Sequence, residues 1–226
     1  VRDVLAQRPR FRKSSTLLPR ILSAAILIPL SLYLIYLGSP YAFILIAIAI
    51  GGIFYEWTRL VLKCEFHPLF KIIYTLAGTT YLCVACFWIL KQIDLPEGWK
   101  LIYWLLFLVW STDMAAFAGG KLLKGPKLYP SISPNKTWSG FLCGMIVGAG
   151  LSYALSFWLI PNLFSFLDMM GLVFIGQGGD LLESKAKRWS HVKDSGFLIP
   201  GHGGFLDRLD SLIAVIFTIA LWQIFH

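Results

Sequence analysis

Charge is what this sequence has least of. Only 14% of its 226 residues are Asp, Glu, Lys or Arg, against an apolar share of 57% and a mean hydropathy of +0.70. Ordinary soluble domains carry about 25% charged residues, so a water-bathed globule is excluded and an integral membrane protein is implied. Histidine is equally sparse, with four residues and no second one near His202, which argues against zinc. The four cysteines (Cys64, Cys83, Cys86, Cys143) form neither a metal spacing nor an extracellular disulfide pattern. Cys83 and Cys86 lie inside an apolar run, where that spacing places two small polarisable side chains on one helix face. No A-x-A-like cleavage site follows the basic amino-terminal stretch, which reads as a cytoplasmic segment (1–20) ahead of a membrane-embedded domain (21–226) rather than as a signal peptide.

What is present is a succession of apolar runs. A helix needs about 20 mostly apolar residues to cross a hydrocarbon core. Seven stretches qualify or nearly so: 21–37, 41–62, 72–90, 101–119, 139–160, 163–182 and 211–226. The last is short. It must sit in thinned lipid, borrow residues from the preceding loop, or be cut off at His226. The expected fold is therefore an all-α polytopic bundle of about seven spans.

Numbering the segments between spans alternately puts 18 of the 20 Lys and Arg residues on one side and only Lys91 and Lys100 on the other. Positive loops stay cytoplasmic, so the amino terminus and the two long polar loops, 119–140 and 183–211, are expected on the cytoplasmic face. The net charge of +8 then belongs to anionic lipid heads and phosphate-bearing substrates. Nucleic acid is a poor partner because no soluble basic domain exists to carry it. The nine tryptophans read as interfacial anchors.

The two cytoplasmic loops carry the chemistry. Gly120 and Gly125 mimic a phosphate-binding P-loop, but Pro126 stands where its lysine belongs and the pattern fails. Ser133, Asn135, Lys136 and Thr137 instead offer donors just before a helix start, a credible anion seat. In the second loop, Pro200-Gly201-His202-Gly203-Gly204 permits a tight turn whose N–H groups can cradle an anion. Asp207 and Asp210 follow. With a helix beginning near Phe205 they share a face, which suits a hard divalent ion such as magnesium. Asp180, Asp113 and Asp194 are candidates to complete that site, since acids at the edge of spans persist mainly where they face one. For Glu56, near the cytoplasmic end of its span, snorkelling or pairing with Arg59 are the options and a structural role is favoured, and Asp168 lies far from the loops.

These residues resemble a known signature. Ser184-Lys185-x-Lys187-Arg188, then Lys193-Asp194-Ser195-Gly196, Pro200-Gly201-His202-Gly203-Gly204 and Asp207-Arg208-Leu209-Asp210 are similar to the motif of the phosphatidate cytidylyltransferases, or CDP-diacylglycerol synthases. Gly179-Asp180-Leu181-x-Glu183-Ser184, Ser133-Pro134-Asn135-Lys136-Thr137, Trp110-x-x-Asp113 and Glu56-Trp57 are similar to further family features.

The resemblance implies a bacterial inner-membrane enzyme that joins CTP and phosphatidic acid into CDP-diacylglycerol and pyrophosphate. It further implies Mg2+, with or without a second, monovalent cation, and is compatible with a homodimer. Asp180, Asp207 and Asp210 would be the metal acids, and Asp113 and Asp194 would support them. Lys136, Lys193, Arg188 and His202 would hold phosphates, with Lys187, Arg208, Gly203 and Gly204 in the substrate site. The amino-terminal part looks short for the family. Alternatives are a nucleotidyltransferase for another lipid phosphate, a lipid-alcohol kinase, or a transporter. The last predicts paired broken helices, and the sequence does not display them.

Overall fold

Each apolar run folds as a helix. The computed structural model describes residues 17–199 and 203–225. Most of the basic amino-terminal segment, together with Pro200, Gly201 and His202, lies outside the described residues. Helices α1 (Leu17–Leu37), α2 (Tyr41–Lys63), α3 (Pro68–Ile93) and α4 (Gly98–Leu122) follow in order. An antiparallel hairpin of β1 (Lys127–Tyr129) and β2 (Ser133–Thr137) comes next. Then α5 (Trp138–Cys143), a π-helical turn (Gly144–Gly148) and α6 (Ala149–Leu159) run on as one rod, and α7 (Phe166–Trp189) and α8 (Leu206–Phe225) complete the bundle.

Among the described residues, four helices are long and apolar enough to cross a membrane: α2, α3, α4 and the rod Trp138–Leu159. The apolar part of α1, Ala24–Leu37, is shorter. The expected last run, 211–226, lies within a longer helix. α8 starts at Leu206 and its 20 residues reach about 30 Å. One expectation is corrected: the segment 119–140 is not simply a loop in an all-α protein, because β1 and β2 pair within it.

Local sequence explains the boundaries. Pro68 opens α3, where a missing N–H removes no helical bond. Ser165 and Asp168 form a reciprocal capping box at the start of α7, with Asp168 N–H donating to Ser165 Oγ at 3.2 Å and Ser165 N–H to Asp168 Oδ2 at 2.8 Å. That accounts for Asp168. All four cysteines are free, and Glu97, Lys124 and Gly125 take left-handed φ angles where helices end or turn.

Helix α8 is the hub, packed against α7, α3, α4 and α2. Small residues let the axes close up: a Cβ built on Gly179 would stand 2.4 Å from Ala214 Cβ, and one on Gly148 would stand 2.5 Å from Thr112 Oγ1. In lipid, where burying apolar surface gives helices little drive to associate, such close contact is what holds them. Trp104 is wholly buried and its indole N–H donates to Ser152 O at 2.9 Å. The outside is apolar as well. Ile48, Leu76, Phe117, Trp158 and Leu167 are each more than 60% exposed, a surface that suits hydrocarbon and would aggregate in water.

Candidate active site

The end of α7 carries one polar stripe. Asp180, Glu183, Ser184 and Lys187 are spaced i, i+3, i+4 and i+7, so they share a helix face. That face meets the first turns of α8, which present Asp207, Asp210 and Ser211. The meeting is close because Gly179 lets α7 approach the α8 backbone.

Lys187 ties the two helices together. Its ammonium lies 2.5 Å from Glu183 Oε2 and 2.8 Å from Asp207 Oδ1. Burial acts to lower the Lys187 pKa, but the two carboxylates outweigh it and hold it above the ordinary lysine value. Burial pushes Glu183 up to about 7 against the opposing pull of Lys187. Asp207 goes the other way. Burial favours its neutral form, yet hydrogen bonds from Lys187 and from backbone N–H groups prevail and hold its pKa below the usual carboxylate value.

The Asp207 carboxylate is fully engaged. Oδ1 accepts from Lys187 and from Ser195 N–H (3.1 Å), while Oδ2 accepts from Ser195 N–H (3.0 Å) and Gly204 N–H (3.0 Å). A carboxylate has about four lone-pair sites, so here it folds the loop between α7 and α8 around itself.

Glu56 completes that arrangement from α2. It is completely buried and accepts from Ser195 Oγ (2.8 Å), Phe205 N–H (3.1 Å) and Leu206 N–H (2.9 Å). The last two N–H groups stand at the start of α8, where helices leave donors unpaired and favour negative charge. Glu56 therefore caps a helix 150 residues away in sequence. It fits there because residues 196 and 204 are glycines: a Cβ on either would come within 2.3 Å of its carboxylate. The expected alternatives for Glu56, snorkelling or pairing with Arg59, are corrected. Arg59 lies over the rings of Tyr55 and Phe197 instead.

A second cluster adjoins the first. Lys136 Nζ, on β2, is 2.6 Å from Asp180 Oδ2, and Ser184 Oγ donates to Asp180 Oδ1 at 3.3 Å. Asp113 of α4 lies within electrostatic reach of Asp180, Lys136 and Arg208, and Asp210 within reach of Asp180, Glu183 and Lys187. Asp180 thus links two further aspartates, one from α4 and one from α8, and carries Lys136 on its own carboxylate. Among the described residues no three carboxyl, imidazole or thiol groups already stand as a finished metal cage. The donor chemistry of Asp113, Asp180 and Asp210 nevertheless suits an ion that completes its shell with phosphate oxygens and water.

Other expected residues are placed differently. Thr137 spends its hydroxyl capping α5, accepting from Gly140 N–H at 3.1 Å, while Ser133 and Asn135 lie along β2. Lys187 is consumed by ion pairs. Arg188 donates to Ile132 O and Val192 O, fastening the hairpin to the end of α7. Lys193 and Asp194 are exposed on the following loop, and His202 lies outside the described residues. Sequence reasoning left Glu183 out of the site and gave Glu56 no role in it. The signals were there: Glu183 falls on the Asp180–Lys187 helical stripe, and Glu56 is an acid inside an apolar run, where one is costly without partners.

Comparison with known proteins accounts for this arrangement. Residues 66–225 match the model of the Cytidylyltransferase family. The chain belongs to that family. Cytidylyltransferases named "Phosphatidate cytidylyltransferase" are among its relatives. That of Brucella suis is 35% identical, with 92% of this chain and 93% of the relative covered; that of Rickettsia felis is 36% identical, with 89% and 91% covered. The Rickettsia conorii protein is 33% identical over 95% of this chain and 94% of its own.

Proposed function

We propose that this protein transfers the cytidylyl group of CTP to phosphatidic acid, forming CDP-diacylglycerol and pyrophosphate. The observation that carries the proposal is Asp180, paired with Lys136 and within electrostatic reach of Asp113 and Asp210, where polar loops meet apolar helices. It occurs in a chain about one third identical to relatives that bear this activity in their names. A lipid substrate keeps its tails in the bilayer while its phosphate and a soluble nucleotide meet at such a boundary. The same reading places seven spans in a bacterial inner membrane with both polar loops on the cytoplasmic side, supported by the distribution of Lys and Arg.

In the proposed reaction a phosphate oxygen of phosphatidic acid attacks the α-phosphorus of CTP. A new P–O bond forms, the α–β bridging bond breaks, and pyrophosphate leaves with the electron pair. The phosphomonoester is already anionic at neutral pH, so the site has no need of a strong base. Its work is alignment and neutralisation of charge. Lys136 supplies positive charge beside Asp180, and Arg208 supplies it beside Asp113. Magnesium, when bound, would be held by Asp113, Asp180 and Asp210 and would neutralise phosphate oxygens. Asp207, expected among the metal acids, is assigned instead to holding the loop, because its oxygens already accept four protein contacts.

The test is purified protein in detergent with CTP, phosphatidic acid and magnesium, with pyrophosphate and the lipid product measured together. Formation of CDP-diacylglycerol, lost in Asp210→Asn while the protein stays folded, is the expected result. Near-normal turnover by that variant would refute the role of Asp210, and a different lipid acceptor would redirect the substrate assignment.

A further inference from the structure

Beside the polar site lies an apolar cavity of about 510 Å3 between α1, α2, α3, α4 and α8, open at the side where the exposed Leu27, Ile28 and Ile48 line it. That is within the range of about 300–1,000 Å3 usual for ligand pockets. Its walls are aliphatic almost throughout, with Ser31 a rare polar side chain. One end is different: Arg208, Trp110 and Phe205 line it there, and Arg208 is also within electrostatic reach of Asp113. The cavity therefore begins where the carboxylate cluster ends. At the other end Ile35, Leu45, Ile46, Ile89 and Ile102 form the floor.

The depth follows from helix geometry. Arg208 to Ile216 on α8 spans about 12 Å and Ala24 to Ile35 on α1 about 16 Å, at a rise of about 1.5 Å per residue. Half of a hydrocarbon core is about 15 Å. The cavity is one leaflet deep and charged only at its head. Nucleotide does not suit such walls, and a second helix would not fit the volume.

We infer that this cavity takes an acyl chain of the lipid substrate, with Arg208 at its mouth holding the lipid phosphate in line with the carboxylate cluster. The inference rests on the lipid-phosphate reading of the site and adds which part of the chain reads the tail. A tail in the bilayer is already in hydrocarbon, so the cavity gains little from the hydrophobic effect. What it contributes is a fixed depth for the phosphate and a limit on chain length and shape. Ala49 lies on the α2 wall, one helical turn from each of the lining residues Leu45 and Ile53.

Two measurements test this, one of them independent of turnover. Phosphatidic acid carrying a photoreactive diazirine at the end of one acyl chain is irradiated with the wild-type protein, and labelled peptides are identified. Label on the floor segments of α1 and α2, displaced by unlabelled phosphatidic acid, is expected. Label confined to outward residues such as Leu76 or Phe117 overturns the inference. Turnover is then compared for dipalmitoyl and dioctanoyl substrates in Ala49→Phe, with Leu76→Phe as an outward control. Overfilling a packed apolar space at this level predicts about a tenfold loss of kcat/KM for the long substrate. The short substrate and the KM for CTP should change less than about twofold by the same reasoning. Parallel loss for both chain lengths, or no loss for either, overturns it. Floor labelling without nucleotide turnover would instead sink the proposed reaction and leave the pocket standing.

Discussion

Replacing Glu56 with Gln is the sharpest perturbation available, because it changes one oxygen for nitrogen inside a buried cap. Wild-type Glu56 satisfies three donors: Ser195 Oγ, Phe205 N–H and Leu206 N–H. A carboxamide keeps one acceptor oxygen and turns an NH2 toward at least one donor. Hydrogen bonds to charged groups contribute about 1.5–3 kcal/mol each, and a buried donor left unpaired costs about 1–3 kcal/mol. The loss of one bond, softened by rotation of the amide, comes to about 2–4 kcal/mol. For a chain of this size each kcal/mol moves Tm by about 2–4 °C.

The assay is thermal unfolding in detergent together with pyrophosphate release well below the transition. Glu56→Gln should lower Tm by several degrees and depress kcat through misplacement of the loop that carries Ser195 and of the first turn of α8, which carries Asp207. Ser195→Ala should do less, about 1 kcal/mol. The double variant should fall short of the sum by about 1 kcal/mol or more, since the two side chains share a bond. Additive effects, or a Gln variant indistinguishable from wild type in both readouts, would refute the assignment of Glu56 as the cap that sets this loop.

Removing the ammonium with Lys187→Met leaves Glu183 and Asp207 facing each other unpaired, and a loss of about 3–5 kcal/mol is expected in denaturant or thermal unfolding. Because the folded-state pKa of Asp207 is depressed, its contribution to stability is present above the unfolded carboxylate value and is lost as pH falls through the folded value. Asp207→Asn should therefore flatten the acid limb of a Tm-versus-pH curve, and an unchanged limb would place the effect elsewhere. Gly179→Val brings a side chain into Ala214 and the Asp210 carbonyl; it should separate α7 from α8, cutting expression of folded protein and activity together, whereas at Gly178, which faces open space, the same change should be tolerated.

The bundle was readable because apolar runs between charges have few alternatives to helices. Their ends were read unevenly: α8 begins at Leu206, beside the start expected near Phe205, but Asp207 and Arg208 interrupt the hydropathy signal, so the apolar run alone began only at residue 211. The β1–β2 hairpin was hidden because Lys-Leu-Tyr and Ser-Pro-Asn-Lys-Thr show neither alternation nor β-branched enrichment. Asp180, Asp210, Asp113 and Lys136 were legible as unexpected charges beside spans. The true partners of Asp207 and Lys187 were not, since motif spacing cannot tell a carboxylate that meets a ligand from one that meets a lysine one helix away. Glu56 is the extreme case: the donors to its carboxylate lie 139 to 150 residues on.

That separation has a consequence for biogenesis. A ribosome adding about 5–20 residues per second produces Glu56 some 8–30 seconds before Leu206 emerges to receive its bond. Through that interval α2 holds a carboxyl group in an apolar setting with its final partners not yet made. The nascent chain must keep this group at the lipid–water boundary, neutralise it, or lend it to an insertase until α8 arrives. Assembly of the loop is thereby deferred until α8 is made, so the enzyme acquires its working shape only after that helix joins α2.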